Sequence, residues 1–140
     1  RVAVLGPGPL LRELDQRLWT FSAREFLAHC SVDASPTMRR ASPIVLGSDA
    51  HAEWPHHDVL LNLYPGVPEG FERFSRLIEV VPRTGDAEET GAARARWRHY
   101  RDRGYAIEQH DLSRLASCSR SWAASALYWS RSVRALVSFS

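Results

Sequence analysis

The chain has 140 residues, 44% of them apolar and 24% charged, with a formal net charge of +2. That size and balance fit one globular domain with a real core, and they exclude a wholesale polyanion binder. All 18 basic residues are arginine, which removes the P-loop lysine, Schiff-base chemistry and lysine general bases, and leaves planar forks suited to carboxylates and phosphates.

Cys30 and Cys118 stand far apart without a CxxC spacing, as expected in a reducing cytoplasm rather than in a disulfide scaffold. No apolar run approaches the roughly 18 residues that a membrane span needs, and no signal peptide is expected. The first residue is Arg1 rather than Met, and a core-like run follows at once. Natural sequence before position 1 is therefore expected.

Val2-Ala3-Val4-Leu5 reads as a strand, and Gly6-Pro7-Gly8-Pro9 as a turn into a helix carrying Leu10, Leu11, Leu14 and Leu18. Strand, glycine turn and helix open a Rossmann-like unit. The third glycine of GxGxxG is missing, however, and Pro7 and Pro9 lack the N–H groups of a phosphate cradle, so the turn is read as structural. Trp19 to Cys30 holds three aromatics without a clear period. Such a segment either folds over the core or presents Phe26 and Leu27 to a partner.

Ser31 to Ser42 reads as a polar loop ending near Arg39-Arg40, and Pro43 to Gly47 as a short strand. The next loop gathers His51, His56, His57 and Asp58, the best available case for a metal, although polar residues collect in proline-containing loops anyway. Val59 to Leu63 is the strongest strand, nearly all apolar as in the middle of a parallel sheet. A turn over 66–70 leads to a short helix from Phe71 to Phe74, then a strand Leu77 to Val81 closed by Pro82. Tyr105 to His110 is a possible edge strand, and strands alternating with helices imply an open α/β sheet. From about residue 116 the chain mixes serine, arginine and tryptophan without a helical stripe. Two segments are therefore expected: an α/β domain over 1–115 and a loosely helical or disordered tail over 116–140.

The stretch from Glu88 to Tyr105 is a helix with complete end signals. Asp86, Glu88 and Glu89 crowd its start, Arg101 and Arg103 its last turn, and Gly104 is the stop. On a period of 3.6, Ala93, Trp97, Tyr100 and Gly104 share one stripe, flanked by Arg94, Arg98 and Arg101. Two readings are open. Trp97 and Tyr100 belong to the core beneath solvated arginines, or Trp97 and the arginines face a partner that is both apolar and anionic.

Three pieces, in this order, resemble one family. They are Leu14 to Phe21 with Phe26 and His29 downstream; Val59 to Leu63 with Phe71, Phe74 and Glu79-Val80-Val81; and Ala93 to Arg101 ending in Gly104-Tyr105. Together they are similar to the chi subunit of bacterial DNA polymerase III, over about residues 1 to 112. The resemblance implies a single-domain Rossmann-like fold, an open and mostly parallel sheet with flanking helices, here lacking the family's first strand and helix. It implies no intrinsic activity, no cofactor and no metal, but an accessory role beside a DNA-directed DNA polymerase in the bacterial cytoplasm, at the nucleoid-associated replication machinery. The implied partners are the psi subunit, the clamp loader through psi, and the acidic C-terminal tail of single-stranded-DNA-binding protein.

Carried over by motif, Phe26, Leu27 and His29 fall in the segment that meets psi. Arg94, Trp97 and Arg98, with Arg101, fall in the pocket for the acidic tail. The chain departs from the family in three places. Phe26-Leu27-Ala28-His29 stands for Phe-x-Pro-His, Trp97 for the usual tyrosine, and Thr90 near the place of a lysine. Two other classes compete. The same arginines could meet phosphates of single-stranded nucleic acid while Trp97 stacks on a base, or the histidine cluster could serve an enzyme.

Overall fold

Why the chain opens as a strand is plain from its sequence: four apolar residues, Val2–Leu5, form β1, and the Gly-Pro turn delivers the chain into α1 (Gly8–Thr20). The computed structural model describes residues 1–22, 26–82, 87–110 and 133–139. Asp86, expected at the start of the arginine-rich helix, and residues 116–132 of the expected tail lie outside the described residues. The chain gathers into two compact units, Arg1–Tyr64 with Pro68–Leu77, and Pro65–Val67 with Ile78–Ser140. The fold is α/β, as the alternation of strands and helices predicts, and of the Rossmann-like kind that the resemblance implies.

In the first unit, β2 (His29–Ser31), β3 (Ile44–Gly47), β1 and β4 (Val59–Asn62) lie side by side in that order, all parallel. β1 sits between β3 and β4, with Val2 opposite Ile44 and Val59, and Leu5 opposite Gly47 and Asn62. Ala3, Val4, Leu5, Val45 and Leu60 are all buried, which is why these strands read as unbroken apolar runs. α1 lays Leu11, Leu14 and Leu18 against Val4 and Leu46. Leu11, the buried one of the three, contributes about 2 kcal/mol. Gly47 ends β3 where the chain comes closest to its neighbours: a Cβ there would stand 2.7 Å from the Trp54 ring and 3.0 Å from Val32.

Two elements correct the sequence reading of this unit. Residues 31–42 are not all loop, because Pro36–Ala41 forms the short helix α2, capped by the Ser35 hydroxyl accepting from Met38 N–H. His29–Ser31, at the end of the aromatic segment that shows no period, pairs with β3 as an edge strand. Ser35 before Pro36 is an N-cap followed by a first-turn proline. A three-residue strand is too short to show a period.

In the second unit, β7 (Val133–Phe139) lies between β5 (Arg76–Pro82) and β6 (Glu108–His110) and runs antiparallel to β6. This corrects the expectation of a loosely helical or disordered tail at Val133–Phe139. The segment is extended because Val133, Ala135, Val137 and Phe139 alternate with other residues on a period of two, the wrong period for a helical stripe. α3 (Ala87–Asp102) begins with Glu88 and Glu89 in its first turn and ends with Arg101 near its last. Gly104, at φ +82°, takes the left-handed conformation that closes it. No helix among the described residues is long and apolar enough to cross a membrane.

Candidate functional site

α3 has two unlike faces, and the side chains at 96 and 100 decide which one is buried. Tyr100 is 1% exposed and donates its hydroxyl to Glu79 Oε1 at 2.6 Å. Arg96 donates from Nε to Glu79 Oε2 at 2.9 Å and from its guanidinium to the carbonyl of Pro65. Glu79 on β5 is itself 2% exposed. One carboxylate therefore receives a charged donor and a phenol, while the same guanidinium holds the Pro65 turn. A buried ion pair is tolerable when its remaining lone pairs and protons are satisfied in this way. The stripe predicted from the sequence, Ala93, Trp97, Tyr100 and Gly104, is turned by about one residue. Its inner members are Ala93, Arg96 and Tyr100.

That turn settles where Trp97 points. It is 42% exposed, and the core reading of Trp97 is corrected: Arg96 holds the inner position instead. Arg94, Trp97, Arg98 and Arg101 follow one another at spacings of three, one and three, a continuous outward face of a helix. All four are exposed. The Arg101 guanidinium carbon lies 4.7 Å from the centre of the Trp97 ring, a cation–π distance. Among the described residues, the side chains of Arg94 and Arg98 make no hydrogen bond or ion pair. A shallow cleft lined by Glu79, Val81, Ala93, Arg96, Trp97 and Tyr100 runs beside the indole. Chemically, this face offers unpaired forks for carboxylates next to an apolar wall.

The first unit carries a second exposed aromatic group. Phe26 is 66% exposed and Trp19 58%. Their rings lie 5.3 Å apart, and Trp19 also meets the His29 ring edge-on at 5.0 Å. Leu27 is half-buried. His29 takes another part: its side chain is 1% exposed, Nδ1 bonds the Leu27 carbonyl at 2.6 Å, and Nε2 stands 3.2 Å from Asp15 Oδ1 without the alignment of a hydrogen bond. The imidazole thus holds the Phe26-Leu27 segment from beneath rather than offering itself at the surface. Sequence reasoning misses Trp19 as a member of this group. Its signal is its position on α1, where Leu11, Leu14 and Leu18 form the core stripe and the next residue, an aromatic, falls outside it.

The histidine cluster comes apart in the structure. His56 is buried, with Nε2 3.2 Å from the Ser42 carbonyl and Nδ1 3.1 Å from Arg1 Nη1. His51 pairs with Glu69 at 2.8 Å, and His57 packs on Phe74 with ring centres 5.1 Å apart. Among the described residues, no three His, Cys, Asp or Glu side chains gather as metal ligands would. At the Gly-Pro turn, the Gly6 N–H is taken by the Gly47 carbonyl at 3.2 Å, and Pro7 and Pro9 have none to give.

With this geometry in place, the comparisons with known proteins are specific. The family model described as DNA polymerase III chi subunit, HolC, matches residues 1–108. The DNA polymerase III subunit chi of Pseudomonas aeruginosa is 33% identical over 103 residues, which cover 74% of this chain and 68% of that protein. The matched region takes in β1 to the start of β6, and with it both exposed aromatic groups and the Glu79–Arg96–Tyr100 cluster. On that extent of agreement the chain belongs to the DNA polymerase III chi subunit family, accessory subunits of the replicative polymerase.

Proposed function

We propose that this chi-family chain is a non-catalytic adaptor that links the clamp loader, through a psi partner, to the acidic C-terminal tail of single-stranded-DNA-binding protein. The observation that carries the reading is the outward face of α3: one exposed indole framed by Arg94, Arg98 and Arg101, two of which have no carboxylate of their own among the described residues. An acidic peptide with a hydrophobic end supplies the missing groups. Its carboxylates take the arginine forks, and its apolar side chain lies against Trp97 and the adjoining cleft.

A few exposed charge-assisted bonds and one aromatic contact correspond to micromolar affinity, roughly 8 kcal/mol, which weakens as salt screens the arginines. This is a transient tether, suited to a machine that moves along its template in the bacterial cytoplasm. The experiment is a titration with an acidic C-terminal peptide of single-stranded-DNA-binding protein. Arg94→Glu lowers affinity about ten- to hundred-fold, the loss of one charge-assisted pair plus a new repulsion. Equal binding by wild type and Arg94→Glu would remove the assignment. Tight binding to bare single strands, with no response to the peptide, would favour the nucleic-acid reading instead.

The Trp19–Phe26 group supports the psi side of the same proposal. Two large rings more than half exposed in one place are characteristic of a protein interface. Phe26→Ala reduces retention of a psi partner in co-purification at least about tenfold, as for an interface anchor. It changes thermal stability little, because the ring is already in water. Undiminished retention would move psi elsewhere.

A further inference from the structure

Arg101 differs from the other two arginines on its face in that both of its binding surfaces are already engaged. Its guanidinium carbon lies over the Trp97 ring at 4.7 Å from the centroid. Its edge, Nε and Nη2, donates to a single oxygen of Asp102 at 3.3 and 3.1 Å. An acidic peptide with an apolar end would use that edge and the ring that the guanidinium covers. The guanidinium edge would take its carboxylate, and the indole face its apolar side chain.

Asp102 is also in an unfavourable place for an acid. It is the last residue of α3, at the negative end of the helix dipole, where an anion is disfavoured. Its ion pair with Arg101 is exposed, with side-chain exposures of 54% and 61%. Pairs of this kind contribute little to stability. Among the described residues the Asp102 side chain has no partner but Arg101, the cation that lies over the exposed indole.

We propose that Asp102 is an internal competitor for the acidic peptide: it holds Arg101 across Trp97 and thereby sets the affinity of the α3 face. The inference rests on the docking reading above and deepens it. Binding requires Arg101 to exchange the Asp102 carboxylate for one from the peptide and to slide from the ring that the peptide's apolar group covers. The exchange conserves the ion pair and gives up a weak local contact. Asp102 thus lowers affinity modestly and adds selectivity, since a partner must bring both an acid and an apolar group to displace Arg101. A single anion gains little by replacing a carboxylate already in place.

The test is a double-mutant cycle on the full chain, read by titration with the acidic peptide at low salt. Asp102→Asn raises affinity about two- to five-fold, the range corresponding to one exposed ion pair. In an Arg101→Ala background the same substitution has no effect, because the cation it competes for is gone. An unchanged affinity for Asp102→Asn overturns the inference, and so does a gain that persists without Arg101, which reports only the removal of a negative charge from the neighbourhood. Arg94→Glu in the same series separates the two levels of the argument. If it weakens binding while Asp102→Asn does nothing, the docking face stands and the competitor falls. If neither variant changes binding, or the wild type does not bind, both fall together.

Discussion

Arg94 and Arg96 stand two residues apart on one helix and do opposite work. Arg94 is exposed and unpaired among the described residues, whereas Arg96 is 6% exposed and bonded to Glu79 and Pro65. Arg96→Ala would leave the Glu79 charge buried without its cation, and it destabilises the protein by about 3–5 kcal/mol in chemical denaturation. Arg94→Glu shifts stability by no more than about 0.5 kcal/mol, as surface substitutions do, while weakening peptide binding. An Arg96→Ala variant as stable as wild type would contradict the cluster. This difference is not legible in the sequence. Arginines at 94, 96 and 98 look alike there, and the partner that buries Arg96 lies 17 residues upstream. Helical period places a tryptophan on the inner stripe because an indole is the more apolar choice. A paired arginine holds the position instead because Glu79 is already inside.

Among the elements, the strands of the first unit are the easiest to read, since β1 and β4 are apolar runs of the kind that a parallel sheet buries on both faces. β2 and α2 escape a sequence reading for a different reason. Both are shorter than the window in which either period shows, and only the Ser35-Pro36 cap marks the helix. β7 has a readable alternation at 133, 135, 137 and 139, but it follows a serine-rich stretch whose lack of period masks the change. Gly47 shows how tightly the short elements are joined, because its bare Cα admits the Trp54 ring and Val32. Gly47→Ala is expected to cost about 1–3 kcal/mol, the range for overpacking a filled site, and to lower the thermal midpoint. An unchanged midpoint would mean that Trp54 yields freely.

At the scale of the whole molecule, the two candidate docking faces belong to different compact units: Trp19 and Phe26 to the first, Arg94 to Arg101 to the second. Each is built on a helix, α1 with the segment bonded to His29, and α3 tied to Glu79. The proposed adaptor role requires each face to be complete within its own unit, so that one partner can be held without surrendering the other. The resemblance legible in the sequence points to the family and to the segments. What it leaves open is the direction of Trp97, and the buried Arg96 supplies the answer. The measurement that tests the central claim most directly is a side-by-side titration of wild type, Arg94→Glu and Phe26→Ala with the acidic C-terminal peptide. The account predicts that Arg94→Glu loses about ten- to hundred-fold in affinity while Phe26→Ala binds like wild type. Loss of binding in Phe26→Ala with Arg94→Glu unaffected would place the peptide on the other face and contradict it.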